Sequence, residues 1–111
     1  MTTNAYTKEQ AITAADQFTT WVEIDSHGGD AGSSFAASMI DDSTTLSCVW
    51  TIQVRRVKAD GTKGNAVDLY TSGAASSGGV QVARLPGLWE VRVGVKAGNL
   101  AAGTGVAAIS W

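Results

Sequence analysis

Apolar and polar positions alternate along two long segments of the chain, and this pattern predicts β-strands. After a Pro86-Gly87 turn, residues 88–96 carry a Trp and three Val at every second position, with Glu, Arg, Gly and Lys between them. Side chains of a strand point alternately to its two faces, so this segment has one apolar face and one polar face. A helical period of 3.6 residues would spread the same apolar side chains around the axis. We therefore predict a central strand within residues 85–96.

The second strongly alternating segment runs from Leu46 to Val57. Its predicted inward face carries Leu46, Cys48, Trp50, Ile52 and Val54, and its predicted outward face carries Ser47, Thr51, Gln53 and Arg55. Asp60-Gly61 and the following Gly64-Asn65 predict a hairpin connection. Residues 67–71 are the expected returning strand.

Weaker patterns predict further short strands at residues 10–13, 18–24, 34–40, 80–85 and 104–111, with a turn at residues 97–99. Thr7 and Gln10 also have the spacing of a capping box for a short helix through Ala15, although we favour an edge strand there. In the 18–24 segment, alternation places Phe18, Val22 and Ile24 inward. It places Trp21 on the polar face, with Thr19 and Glu23.

Seven or so short strands separated by turns every eight to twelve residues predict an all-β, antiparallel two-sheet sandwich. A mid-chain Trp, followed later by a turn and an aromatic residue, is typical of immunoglobulin-like order. Trp89, however, stands where such domains carry a corner tyrosine, so a jelly roll is the alternative topology. We expect one domain over residues 9–111, preceded by an N-terminal arm over residues 1–8.

Composition narrows the classes of partner. The chain has 111 residues, a net charge of −2 and only 16% charged side chains. A chain with a net negative charge does not offer the basic surface expected of a nucleic-acid-binding protein. Small neutral residues fill the shortfall of charge, and such a surface suits broad contact with other proteins because few charges need desolvating. We expect protein partners and no nucleic acid.

The sequence shows neither a secretory leader nor a membrane span. Residues 1–6 have no basic region followed by an apolar run. No apolar stretch approaches the roughly 20 residues that cross a bilayer. We therefore expect a protein made in the cytoplasm, with no membrane partner.

Candidate chemistry is sparse. His27 lies between Asp25 and Asp30 in a Gly-rich loop, but loops collect Asp for turn formation, so this is a weak metal signal. Cys48, the one cysteine, falls in an apolar strand where a thiol is inert. No Ser or Thr has a nucleophile-elbow setting. We predict no enzymatic activity, no catalytic residue, no metal and no cofactor.

Two aromatic residues are the candidate interface residues, Tyr6 and Trp21. Tyr6 lies on the predicted arm, and arms without local partners often order only on a neighbouring molecule. Trp21 falls on the polar face of its strand. It is either at the edge of the second sheet's packing or an anchor in a protein contact, where Trp is enriched.

The C-terminal third of the chain resembles the ending of small virion proteins of tailed phages. The resemblance rests on residues 87–98 (GLWEVRVGVKAG) and 104–111 (TGVAAISW), and residues 49–56 (VWTIQVRR) with the Asp60-Gly61 turn resemble the central hairpin of the same proteins. The usual closing strand has Arg-Leu-Ser where this chain has residues 108–110 (Ala-Ile-Ser), so the match is partial. The resemblance implies a β-sandwich virion component of the capsid decoration, or cement, type.

This resemblance sets the expected function and its alternatives. It implies a structural protein on the capsid surface, with the major capsid protein or other virion proteins as partners and self-association as an open alternative. A host-surface or carbohydrate-binding module of a tail or fibre is the second hypothesis, because sandwiches also support that role. A hydrolase, the third, requires a His–nucleophile pair within hydrogen-bond reach.

Overall fold

A computed structural model describes residues 7–25, 33–73 and 75–111, and these form nine β-strands without a helix. The strands are β1 (Thr7–Ile12), β2 (Gln17–Phe18), β3 (Val22–Asp25), β4 (Ser33–Asp41), β5 (Ser47–Arg56), β6 (Val67–Thr71), β7 (Gly78–Leu85), β8 (Leu88–Ala102) and β9 (Gly105–Ser110). In the described part of the chain, no helix is available that could cross a membrane.

The strands form two antiparallel sheets packed as a sandwich, which confirms the predicted fold class. Sheet A has the order β1-β9-β4-β7. Sheet B has the order β2-β8-β5-β6, and β3 pairs with β8 on the same side as β2.

The strand order decides between the two predicted topologies in favour of the jelly roll. The first strand pairs with the last, β1 with β9, and the pairing continues inward through β2 and β3 with β8, β4 with β7, and β5 with β6. This is one long antiparallel ribbon, rolled so that β9 also pairs with β4 and β8 with β5. An immunoglobulin-like domain instead has strands A, B, E and D in one sheet, so the immunoglobulin-like order that we favoured is wrong.

The core lies between the two sheets and is built by the two strands that alternate most clearly in sequence. Val91, Val93 and Val95 of β8 are fully buried, as are the predicted inward residues of β5. Burial of each such side chain stabilises the fold by roughly 1.5–3 kcal/mol relative to exposure. Trp50 packs at the centre with its ring 5.1 Å from that of Tyr70, and Trp89 is half-buried against the core.

Three local predictions differ from the structure. Residues 97–99 form no turn, because β8 continues through them to Ala102; Gly98, with φ +80°, takes up an irregularity in the pairing with β5. Residues 7–15 form β1 and a loop, so the capping-box helix is wrong. Thr7 and Lys8, which we placed on the arm, pair with β9 as part of β1. The rest of the predicted arm, residues 1–6, lies outside the described residues.

Candidate interaction surfaces

The outer face of sheet B carries Trp21, the predicted interface residue. The pairing of the chain with β8 is irregular just before Trp21, between Phe18 and Val22. Phe18 lies opposite Gly94, and Val22 lies opposite Val91. The chain thus takes four steps along β2 and β3 while β8 takes three. An extra residue on one strand reverses which side chains face the core beyond it.

Thr19 lies within this irregular segment and keeps the segment hydrogen-bonded to β8. Its amide donates to the Val93 carbonyl at 2.9 Å, and its hydroxyl accepts a hydrogen bond from the Val93 amide at 3.2 Å. The buried Thr19 hydroxyl therefore accepts the hydrogen bond from the Val93 amide in place of a backbone carbonyl. As a result, Phe18 and Trp21 lie on the same outer face, and the prediction that Phe18 faces the core is wrong.

Gly94 lets β2 approach β8 closely enough for the Phe18 ring to cover it. A Cβ built on Gly94 would lie 2.5 Å from the Phe18 Cα and 2.8 Å from its Cγ, and it would also collide with the Gln17 carbonyl oxygen. An isolated Gly within an alternating strand often marks such an approach. The sequence therefore held a signal for this contact, in the Gly between Val93 and Val95.

Arg92 is the residue that joins the two aromatic side chains. Its guanidinium carbon lies 4.3 Å from the centre of the Phe18 ring and 4.6 Å from that of Trp21. The Nε and Nη2 groups both donate to the Gln53 side-chain oxygen, at 2.9 and 2.7 Å. Burial, and then the charge of Arg55 nearby, lower the pKa of Arg92 from its ordinary value, but a guanidinium remains charged at every physiological pH.

Arg55 occupies a second position over the Trp21 ring, at 4.2 Å from its centre. Its Nε donates to Glu90 at 2.7 Å, and Lys63 lies 3.6 Å from the other oxygen of the same carboxylate. The indole is thus half-buried beneath two guanidinium groups. Trp21 is therefore a half-buried residue of the outer face of sheet B, and its role as an anchor of a protein contact stays a prediction.

The same face continues across sheet B as paired charges. Lys96 forms an ion pair with Asp68 at 2.5 Å, and the Gln53 amide donates to Asp68 at 3.0 Å. Donation by Lys96 and then by Gln53 lowers the pKa of Asp68. The outer face of sheet B is therefore a cross-linked polar layer in which many charges already have partners within the chain.

The outer face of sheet A has the opposite character. Its cross-strand rows follow from the registers of β1, β9, β4 and β7. They are Ala11–Val106–Ile40–Gly78, Glu9–Ala108–Ser38–Val80, Thr7–Ser110–Ala36–Val82 and the shorter Ser34–Arg84. Glu9 and Arg84, on the two outer strands, are the charged side chains among these described positions. The central residues Ala36, Ser38, Ala108 and Ser110 are small and neutral, and the exposed side chains of Ile40, Val80 and Val82 lie on the same face.

The candidate reactive groups have structural roles. Cys48 is buried, and burial raises the pKa of its thiol, which disfavours the reactive thiolate. Asp41 accepts hydrogen bonds from the amides of Ser43 and Leu46, which lowers its pKa and fixes the turn between β4 and β5. Asp42 accepts from the Thr104 hydroxyl at 2.6 Å.

Three residues from the sequence analysis, Tyr6, His27 and Asp30, lie outside the described residues. Within residues 7–25, 33–73 and 75–111, no three potential metal-ligating side chains come together.

Neither a protein-family model nor a curated protein sequence matches this chain.

Proposed function

We propose that this chain is a structural protein of a tailed-phage virion, a capsid decoration protein that binds the head lattice and stabilises it. The observation that carries the proposal is the outer face of sheet A. Its central residues are Ala36, Ser38, Ala108 and Ser110, so a partner could cover it without burying a charge. Burial of an unpaired charge is costly, and interface cores are correspondingly depleted of charged residues.

Binding in many copies suits a protein whose individual contact surface is small. A decoration protein is present in many symmetry-related copies, and several simultaneous contacts hold each copy more tightly than one contact alone. The resemblance of residues 87–98 and 104–111 to virion proteins supports the same role. The partner would be the major capsid protein or another protein of the head.

Sheet B favours this role over carbohydrate binding. Sugar-binding surfaces use exposed aromatic faces, whereas the Trp21 ring already has Arg55 and Arg92 over it. The rings of Phe18 and Trp21 are therefore partly covered by cationic groups of the same chain. Binding of the isolated protein to a glycan array would favour the host-surface alternative instead.

The test is co-sedimentation of the purified full chain with heads of the phage that encodes it. We expect the wild-type chain to pellet with the heads and electron microscopy to place it on their outer surface. Ser38→Lys puts a charge at the centre of the sheet A face and should weaken binding at least about tenfold, equivalent to about 1.4 kcal/mol. Ala14→Lys adds the same charge on an exposed loop between β1 and β2 and should bind normally.

A deletion tests the arm separately. Removal of residues 2–6 deletes Tyr6 and leaves β1 complete, whereas removal of residues 1–8 would also take two residues from the sheet. Loss of pelleting would make this segment a contact. A wild-type chain that stays in the supernatant, or that is absent from virions, would contradict the decoration role.

A further inference from the structure

Among the strands that the structure describes, two edges on one side of the sandwich have no pairing partner. β7 is the last strand of sheet A and β6 the last strand of sheet B, and six residues, 72–77, connect them. At the opposite side β1 contacts β2. β6 and β7 therefore border the same side of the molecule, which we call the β6–β7 side.

The β6–β7 side is apolar and exposed. Of the five large apolar side chains that are most exposed in the described part of the chain, four lie on these two strands. They are Val67 at 54% and Leu69 at 41% exposure on β6, and Val80 at 63% and Val82 at 72% on β7, where the two valines project from the outer face of sheet A next to its edge. Exposed apolar edges are templates for pairing with another strand.

The two sides of the sandwich differ in how their edges are protected. Proteins guard open edges with charges, prolines and bulges. On the opposite side β1 carries Lys8 and Glu9, and β3 carries Glu23. β7 pairs with β4 in eight consecutive positions without a bulge, and Arg84 is its one charged residue. β6 carries Asp68 and an irregularity in its pairing with β5, so the unguarded edge is that of β7.

We infer that β7 pairs with β7 of a second copy of this chain, antiparallel and centred on Gln81. A two-fold axis there places Gln81 opposite Gln81 of the second copy. It also places Val80 opposite Val82 twice, which makes a patch of four valines on the outer face. The two sheets A become one eight-stranded sheet, joined by about four to six backbone hydrogen bonds.

The charges of β7 are compatible with this register. Arg84 lies opposite Gly78 of the second copy, so the two guanidinium groups sit at opposite ends of the paired segment. Like charges placed directly opposite each other would destabilise the pair. The sequence of this strand is therefore self-complementary in an antiparallel arrangement.

The size of the β6–β7 side limits the area that two copies of the chain can bury on pairing. The molecule is 20 Å thick, and seven paired residues span about 24 Å, so contact covers about 500 Å² per copy. The total of about 1,000 Å² lies at the lower limit for a specific interface. We expect a weak, reversible dimer, since small interfaces are typical of transient contacts. This inference rests on the proposed function in one respect, in that it names a second copy as one of the virion partners.

The first test is sedimentation analysis of the pure full-length chain between about 1 and 500 µM. The wild type should change from the 11.4 kDa monomer to a dimer across this range. Val82→Lys should raise the dissociation constant at least tenfold, because it brings charge into the valine patch. Ala11→Lys, at an exposed position on the opposite edge strand β1, should dimerise like the wild type. Thermal unfolding should show that both variants remain folded.

The second test determines the register in which the two β7 strands pair. Paired residues of antiparallel strands have Cα atoms about 4.5–5.5 Å apart, which a disulfide can bridge. Gln81→Cys, at the axis, should form a covalent dimer rapidly on mild oxidation. Gly79→Cys should not, because its counterpart lies four residues along the strand. Cys48 is buried and serves as an internal negative control.

The result that would overturn the inference is a wild-type monomer at every concentration. A Val82→Lys variant that dimerises normally, or equal cross-linking at positions 79 and 81, would also contradict it. A monomer that nevertheless pellets with phage heads would leave the proposed function standing. A dimer that binds no head would leave the inference standing and remove the proposed function.

Discussion

At the scale of single residues, the outer face of sheet B depends on one missing side chain. Gly94 has no Cβ, so β2 can lie close against β8 and Phe18 can cover the gap. Arg92 then stacks on Phe18 from the neighbouring outward position of β8. Gly94 therefore allows the close approach of β2, which places the Phe18 ring where the Arg92 guanidinium stacks on it.

The first prediction compares two glycines within strands. Gly94→Ala should lower the free energy of unfolding by about 3 kcal/mol, because the new methyl would meet backbone and ring atoms of Phe18. Gly79→Ala is the matched control, since its Cβ would lie 3.5 Å from Trp50 Cζ2, an ordinary contact. Its change should stay within about 0.5 kcal/mol. Urea unfolding measures both, and equal losses would show that the close approach is not what requires Gly94.

The second prediction separates the surface Trp from the core Trp. Trp21→Ala removes two guanidinium–ring contacts, each of about 0.5–1 kcal/mol at an exposed site, and should cost about 1–2 kcal/mol. Trp50→Ala removes a ring that is 1% exposed and should cost about 3–5 kcal/mol. Denaturant titrations of the isolated domain give both values. A larger loss for Trp21 than for Trp50 would contradict the assignment of Trp21 to the outer face.

At the scale of elements, the turn between β4 and β5 decides how Leu46 enters the core. One Asp41 oxygen accepts from the Ser43 amide at 2.8 Å, and the other accepts from the Leu46 amide at 3.2 Å. These donors favour the charged carboxylate. The hydrogen bond from the Ser43 amide is the largest cause of the lowered pKa of Asp41.

The third prediction follows from the sign of that shift. The folded-state pKa of Asp41 lies below its ordinary value of 3.8. The carboxylate therefore contributes stability above about pH 4, and this contribution is lost as pH falls through the folded-state pKa. Asp41→Asn should lower the thermal midpoint at pH 7, with a difference from the wild type that shrinks below pH 4. A difference that is constant from pH 7 to pH 2 would show that the charge is not involved.

The two long strands and the short ones differ in how far sequence predicts them. The alternation of β5 and β8 is long enough to specify the inward-facing residues of both strands, and the structure confirms that these are buried. Two details are wrong: Thr51, which we predicted on the outward face, is also fully buried, and β8 continues through the turn predicted at residues 97–99. In the 18–24 segment an extra residue at Thr19 reverses the parity, so the same rule misplaced Phe18. Alternation is a rule about unbroken pairing. It fails where the partner strand imposes an irregularity that hydropathy does not record.

At the scale of the whole molecule, the surfaces divide by chemistry. Sheet B presents paired charges, and the centre of sheet A presents small neutral residues. The exposed valines of β7 lie on the outer face of sheet A at its edge, next to the exposed Val67 and Leu69 of β6. A polar layer whose charges are already paired gains little from a partner. The neutral face and the apolar edge are therefore the surfaces on which a contact with other chains is most favourable, and the two proposals assign one to each.

Neighbouring residues along the chain are enough to predict the all-β class, the inward faces of β5 and β8, the burial of Cys48 and the hairpin at Gly61. Each of these depends on alternation or on turn chemistry. The rolled-ribbon topology, the contact of Arg92 with Phe18 and Trp21, and the position of β6 and β7 on one side are visible only in the folded molecule. These depend on which strands pair and in what register, and contacts between residues far apart in sequence set that choice.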